Sequence, residues 1–108
     1  MTVNPSASTP HSSEALRAAL AQAEASGDLA AQNTLLGELG RALLRQDDSL
    51  PALACFEKGL KVAQQLDDKP SGARHLANQG LALAQIGNFG LAMRAYRKAL
   101  GFAADLAD

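Results

Sequence analysis

Leu76-Ala77-Asn78-Gln79-Gly80-Leu81-Ala82-Leu83 has an echo 40 residues earlier, Leu36-Gly37-Glu38-Leu39-Gly40-Arg41-Ala42-Leu43. The register then runs to the last residue without a gap. Leu36 pairs with Leu76, Gly40 with Gly80, Leu43 with Leu83, Ala52 with Ala92, Phe56 with Tyr96, Leu60 with Leu100, Leu66 with Leu106 and Asp68 with Asp108. Self-similarity at one fixed period of about 20–50 residues marks a stacked-repeat architecture.

Moving outward from the two echoes, helical patterns alternate with short breaks. Residues 1–12 are rich in Ser, Thr and Pro and read as a flexible leader, with His11 a solvated histidine at its end. From Ser13, capped by Ser12 or Ser13, the residues Leu16, Ala19, Leu20 and Ala23 form one apolar stripe. Gly27 suits the left-handed position that ends such a helix, and Asp28 can cap the next, which runs from Leu29 to Leu44. After Gln46-Asp47-Asp48-Ser49 a third helix opens, with Pro51 in its first turn, and continues through Phe56 and Leu60 to Leu66. Asp67, Asp68, Pro70 and Gly72 read as a break. A fourth helix is predicted from Ala73 to about Ile86, Gly87-Asn88 as a tight turn, and a fifth helix from Phe89 to near Leu106. Short turns favour antiparallel neighbours. Moving the third helix back by 40 residues sets Phe56 on Leu16 and Leu60 on Leu20, so the first helix is the second half of a repeat. The expectation is an all-α antiparallel helix-hairpin solenoid of five helices and about two and a half repeats. Its parts are a leader (1–12), a half repeat (13–28) and two full repeats (29–68 and 69–108).

Composition agrees with an all-α chain. Apolar residues make up 47% and aromatics only 4%, with no Trp, so Ala and Leu build the core. The formal net charge is −1, with ten basic and eleven acidic side chains, and lacks the basic excess of a nucleic-acid binder. No apolar run approaches the roughly 18 residues of a membrane span, which argues against membrane insertion. Met1-Thr2-Val3-Asn4-Pro5 lacks the features of a signal peptide. One cysteine forms no internal disulfide and fits a reducing compartment, so a cytoplasmic protein is expected.

The glycine pattern has a physical reading of its own. A glycine inside an exposed helix costs about 1 kcal/mol relative to alanine, so Gly40 and Gly80 at matching places imply close helix crossings. Phe56 and Tyr96 then fill the space beside each crossing.

These residues resemble the tetratricopeptide repeat, whose outline is a large residue, two positions, Leu-Gly, two positions and a large residue, followed later by Ala, three positions and an aromatic. The first full unit reads Leu36-x₂-Leu39-Gly40-x₂-Leu43 and Ala52-x₃-Phe56; the second reads Leu76-x₂-Gln79-Gly80-x₂-Leu83 and Ala92-x₃-Tyr96. The likeness covers roughly residues 13–108. Leu36 and Leu76 stand where Trp is typical and Gln79 where Leu is. No Pro closes either unit, and the period is longer than the usual one of about 34 residues.

Catalytic chemistry has little to draw on. Cys55 reads as a half-buried small hydrophobe beside Phe56, and His75 as a surface or inter-helix histidine. The pairs Asp47-Asp48 and Asp67-Asp68 read as solvated capping carboxylates, and no HExxH, CxxC, GxSxG or phosphate-cradling pattern occurs. No catalytic role, cofactor or metal is therefore expected. Lys58, Lys61, Arg94, Arg97 and Lys98 lie on the second helices of the hairpins and read as a solvated face.

The resemblance implies a protein-interaction module whose first helices line a concave face that holds a partner peptide. The residues it places there are Glu38, Arg41, Arg45, Arg74, Asn78 and Gln85. Glu38 and Asn78 stand two before the glycines, where an Asn can hydrogen-bond a peptide backbone with both donor and acceptor. Arg41 and Arg45, one turn apart, can pair a carboxylate. The alternative is a self-assembling scaffold, which could form part of a larger regulatory protein. Repeat arrays need polar terminal caps, and the last helix has none after it. Phe102 and Leu106 match Val62 and Leu66, which the following hairpin should cover, so they form the expected apolar patch for a homo-oligomer contact.

Overall fold

The computed structural model describes residues 12–107, with side chains as far as Phe102; the leader, His11 and the side chain of Leu106 lie outside the described residues. Five helices follow in order: α1 Ser13–Ser26, α2 Leu29–Arg45, α3 Ser49–Gln65, α4 Lys69–Ile86 and α5 Phe89–Ala107. Each packs against the next, and α2 also meets α4, so the first helices of the two full hairpins share one face. The result is a helix-hairpin solenoid, elongated at 54 × 33 × 20 Å.

The four turns repeat at half the sequence period. Gly27, Asp47, Asp67 and Gly87, spaced 20 residues apart, all adopt positive φ, at 72°, 60°, 54° and 95°. At each, the next residue's N–H reaches back five positions to a helix carbonyl: Asp28 to Ala23 (2.9 Å), Asp48 to Leu43 (2.8 Å), Asp68 to Ala63 (2.9 Å) and Asn88 to Leu83 (2.9 Å). This is the Schellman closure, which satisfies carbonyls left free at a helix end. The same residue then starts the following helix. Asp28 accepts from the Ala31 N–H (3.0 Å), Asp68 from Ser71 (3.1 Å) and Asn88 from Leu91 (3.2 Å), whereas Asp48 makes no side-chain cap bond. The left-handed region is unfavourable for residues with a Cβ and free for glycine. Asp47→Gly, at an exposed position, is therefore expected to raise stability by about 0.5–1 kcal/mol, visible as a higher thermal midpoint. A lower midpoint would show that the Asp47 side chain has a local role.

Two expectations change. The fourth helix starts at Lys69, four residues before Ala73, because Asp68 caps it and Pro70 falls in its first turn. There a missing N–H costs nothing that the helix start does not already lack. The third helix ends at Gln65, so Leu66 lies past it and is 37% exposed, whereas Val62 is buried as expected.

The core runs through Leu16, Leu20, Leu36, Leu39, Leu43, Phe56 and Val62. Leu36, Leu43 and Phe56 are the largest side chains sealed from solvent. A Cβ on Gly40 would come within 2.4–2.9 Å of the Phe56 ring, and one on Gly80 within 2.6–2.9 Å of the Tyr96 ring. Real atoms do not approach so closely, so each glycine is a seat for an aromatic face. The crossings inferred from the sequence are present in both repeats.

Of the pair expected to form an apolar patch, Phe102 has a described side chain and Leu106 does not. Phe102 is half-buried and turned toward Gly72 at the start of α4, where a Cβ would lie 3.6 Å from the ring. The exposed apolar side chains of α5 are instead Phe89 (68%), Met93 (53%) and Leu100 (69%), with Leu91 at 43%.

Candidate functional site

The face shared by α2 and α4 is indented by a groove of about 430 Å³. Thr34, Gly37 and Arg41 line it from α2, and Arg74, His75 and Asn78 from α4. Leu66, exposed beyond the end of α3, forms part of its rim. Three of the six side chains expected on the concave face, Arg41, Arg74 and Asn78, are thus brought together. Glu38 is half-buried on α2 and is not among the lining side chains; Arg45 is exposed at the last residue of that helix. Gln85 is engaged within the chain: its amide donates to the Leu44 carbonyl (3.1 Å) and its carbonyl accepts from the Ser49 hydroxyl. It ties the end of α4 to the α2–α3 turn.

Beneath the groove runs a polar chain that the sequence reading did not assemble. The Ser71 hydroxyl donates to Asp68 Oδ2 (2.8 Å) and accepts from Asn33 Nδ2 (3.0 Å) and Arg74 Nη2 (3.0 Å). With the Ser71 proton committed to Asp68, Asn33 must present its NH₂ to Ser71 and its carbonyl to His75. Asn33 Oδ1 then accepts from His75 Nε2–H at 2.8 Å, which fixes the imidazole as the Nε2–H tautomer. His75 Nδ1 is left as a buried acceptor with no partner among the described residues.

The surroundings set the charge states. His75 is 4% exposed. Burial lowers its pKa, and Arg74 and Arg41 lower it further, against a smaller opposite effect from Asp68. Asp68 is held below the usual carboxylate range by the hydroxyl and then the N–H of Ser71. The groove therefore carries two guanidinium groups beside a neutral imidazole. Its one lining carboxylate, Asp68, is occupied by internal donors.

His75 lies flat on a glycine. A Cβ on Gly59 of α3 would come within 2.5–2.8 Å of three ring atoms, and one on Gly37 of α2 would be 3.5 Å from the ring. A signal for this cluster was present as departures from the 40-residue register. Asn33 stands opposite Ala73, Ser71 opposite Ala31, His75 opposite Leu35 and Gly59 opposite Ala99. Each departure belongs to the one junction where two full repeats meet.

Cys55 is half-buried as expected, and burial raises its thiol pKa against the smaller effects of Arg17 and Lys58. That keeps it protonated and weakly nucleophilic. Among the described residues no three His, Cys, Asp or Glu side chains gather to hold a metal ion, and no helix is long and apolar enough to cross a membrane.

Stacked two-helix units, paired aromatic-on-glycine crossings and a groove along the first helices define a helical-repeat protein. The tetratricopeptide repeat family model matches residues 31–105, and the chain belongs to that family, whose members are protein-interaction modules. Comparison with curated proteins finds no significant match.

Proposed function

We propose that the chain is a non-catalytic adaptor that holds an extended segment of a partner protein in the groove between α2 and α4. The observation that carries this reading is the convergence of Arg41, Arg74 and Asn78 on one cavity whose carboxylate is already satisfied. Asn78 supplies a donor and an acceptor suited to a peptide bond. Arg41 and Arg74 face any partner side chain that enters and select for Asp or Glu. Glu38 and Arg45 extend the same polar helix faces beyond the cavity and contribute at the ends of a bound segment. Gln85 is a structural tie in this account.

A charge-assisted hydrogen bond contributes about 1.5–3 kcal/mol, or roughly ten- to a hundredfold in affinity. Extended peptides selected by display on the intact protein should therefore lose at least about tenfold in affinity on Arg41→Ala and on Asn78→Ala. Thermal midpoints should stay near wild type, because neither side chain belongs to the core. Selected peptides whose affinity is indifferent to both substitutions would refute the groove assignment.

A further inference from the structure

One glycine of the α2–α4 groove is not required by the chain's own packing. Gly40, Gly59 and Gly80 each seat a ring, since a Cβ there would come within 2.4–2.9 Å of Phe56, His75 or Tyr96. Gly27 and Gly87 hold the positive φ of helix ends. Gly37 does neither. It stands in the middle of α2, and its φ is not positive. A Cβ on it would lie 3.5 Å from His75 Cε1 and 3.8 Å from Arg41 Nη1, both ordinary contact distances. The repeat register carries alanine at the same place, Ala77. Alanine would therefore fit at position 37, and in a helix interior it is the more stable residue.

What Gly37 provides is space in the groove. It is buried and lines the cavity together with Arg41 and His75, so it forms part of the floor. The volume that a methyl group would fill lies within van der Waals reach of both the imidazole and the guanidinium. A glycine inside a regular element lets a ligand or a second backbone approach closely. Three other glycines also lack a steric demand or a positive φ, but none of them lines this groove. Gly72 lies in the first turn of α4 beside Leu60 and Phe102, and Gly90 and Gly101 are on α5.

We infer, on the reading of the groove as a peptide site, that Gly37 determines its specificity. The backbone of the bound segment descends onto α2 at this point, and the segment carries a small residue there: Gly, Ala or Ser. The close approach brings a neighbouring peptide group to the Asn78 amide and an adjacent acidic side chain to Arg41 and Arg74. A bulky residue in the small position holds the backbone away from α2 and loses both.

The test measures stability and affinity on the same variants of the whole protein, with extended peptides selected by display. Gly37→Ala is expected to raise the thermal midpoint by a few degrees. It is also expected to lower peptide affinity at least about tenfold, because the methyl takes the place of ligand atoms. That loss should persist in the Arg41→Ala background, since it comes from lost space and not from a displaced guanidinium. Selected peptides should share one Gly, Ala or Ser whose replacement by Leu weakens wild-type binding by a similar factor. Ala77→Gly, in the same register but not among the groove residues, should lower the midpoint and leave affinity unchanged. A Gly37→Ala protein that melts lower than wild type would assign the glycine to internal packing and overturn the inference. Unchanged affinity of Gly37→Ala would overturn it too, and the groove would remain the peptide site if Arg41→Ala and Asn78→Ala still weaken binding. A loss that disappears in the Arg41→Ala background would make Gly37 a positioning residue for that guanidinium and would likewise overturn it. Peptides indifferent to all three substitutions would remove the groove reading and this inference together.

Discussion

Phe56→Ala is expected to lower stability by about 3–5 kcal/mol. A domain of this size has a total of roughly 5–15 kcal/mol, so the variant should approach the edge of folding. The ring is 0% exposed and closes the crossing of α2 and α3 against Gly40. The reciprocal change is more discriminating. In an ordinary helix Gly→Ala gains about 1 kcal/mol, but at position 40 the new methyl would stand 2.4 Å from the ring. Overpacking of that kind costs about 1–3 kcal/mol, and the net effect of Gly40→Ala is expected to be destabilising. Phe56→Leu should then be better tolerated in the Gly40→Ala background than in the wild type, giving a coupling of at least about 1 kcal/mol in a double-mutant cycle measured by urea unfolding. Gly80→Ala should cost less, because Tyr96 is half-buried and has solvent to swing into. A stabilising Gly40→Ala would refute the seated-aromatic account of the crossing.

Gly59→Ala is the second large effect, expected at about 2–4 kcal/mol. The added methyl displaces the His75 ring, and displacing the ring breaks its 2.8 Å bond to Asn33. Overpacking and an unsatisfied buried amide then add together. The same histidine gives the protein a pH dependence of definite sign. Its folded pKa is depressed by burial and by Arg74 and Arg41, so the unfolded chain takes up a proton more readily than the folded one. Stability is full above the unfolded histidine pKa of about 6.5 and is lost as pH falls from there through the folded value. Asp68 acts the same way in a lower window. Its folded pKa is also depressed, so its contribution is present above the ordinary aspartate value of about 3.9 and disappears as pH falls further. Melting at pH 7.5 and at pH 5.5 isolates the histidine. Wild type should lose several degrees between them and His75→Leu should lose little. An equal loss in both would assign the dependence elsewhere.

How much of this was legible in the sequence differs between residues that repeat and residues that do not. Gly40 and Gly80 were readable because the same steric problem, an aromatic over a helix crossing, is solved twice at the same place. The turns at Gly27 and Gly87 were readable because glycine and the Asp or Asn after it are local signals. Asp47 and Asp67 hid the same turn, since a left-handed aspartate looks like any capping carboxylate. The start of α4 was misplaced because Pro70 and Gly72 were weighed as breakers. Pro70 in fact occupies a first turn where proline is welcome, and Gly72 faces Leu60 and Phe102 across two helix contacts.

In the groove, Arg41, Arg74 and Asn78 were named through the likeness to the repeat family, which puts the first helices of the hairpins on the concave face. The chain Asn33–Ser71–Asp68–His75 was not, because its members are up to 42 positions apart and meet only when two repeats stack. Gln85 shares the helix face of Arg74 and Asn78. Its partners, Ser49 and the Leu44 carbonyl, come from other helices, so its structural role had no local sign. Phe102 turns toward Gly72 of α4, a contact that no local sequence signal showed, and the exposed apolar side chains of α5 include Met93 and Leu100.

Amide chemical-shift mapping of the labelled protein, titrated with a display-selected extended peptide, tests the central claim most directly. The account predicts that the shifts concentrate on α2 and α4, around Thr34, Arg41, Arg74 and Asn78, and that they vanish in Arg41→Ala/Asn78→Ala. Shifts confined to α3 and α5, with α2 and α4 silent, would contradict it.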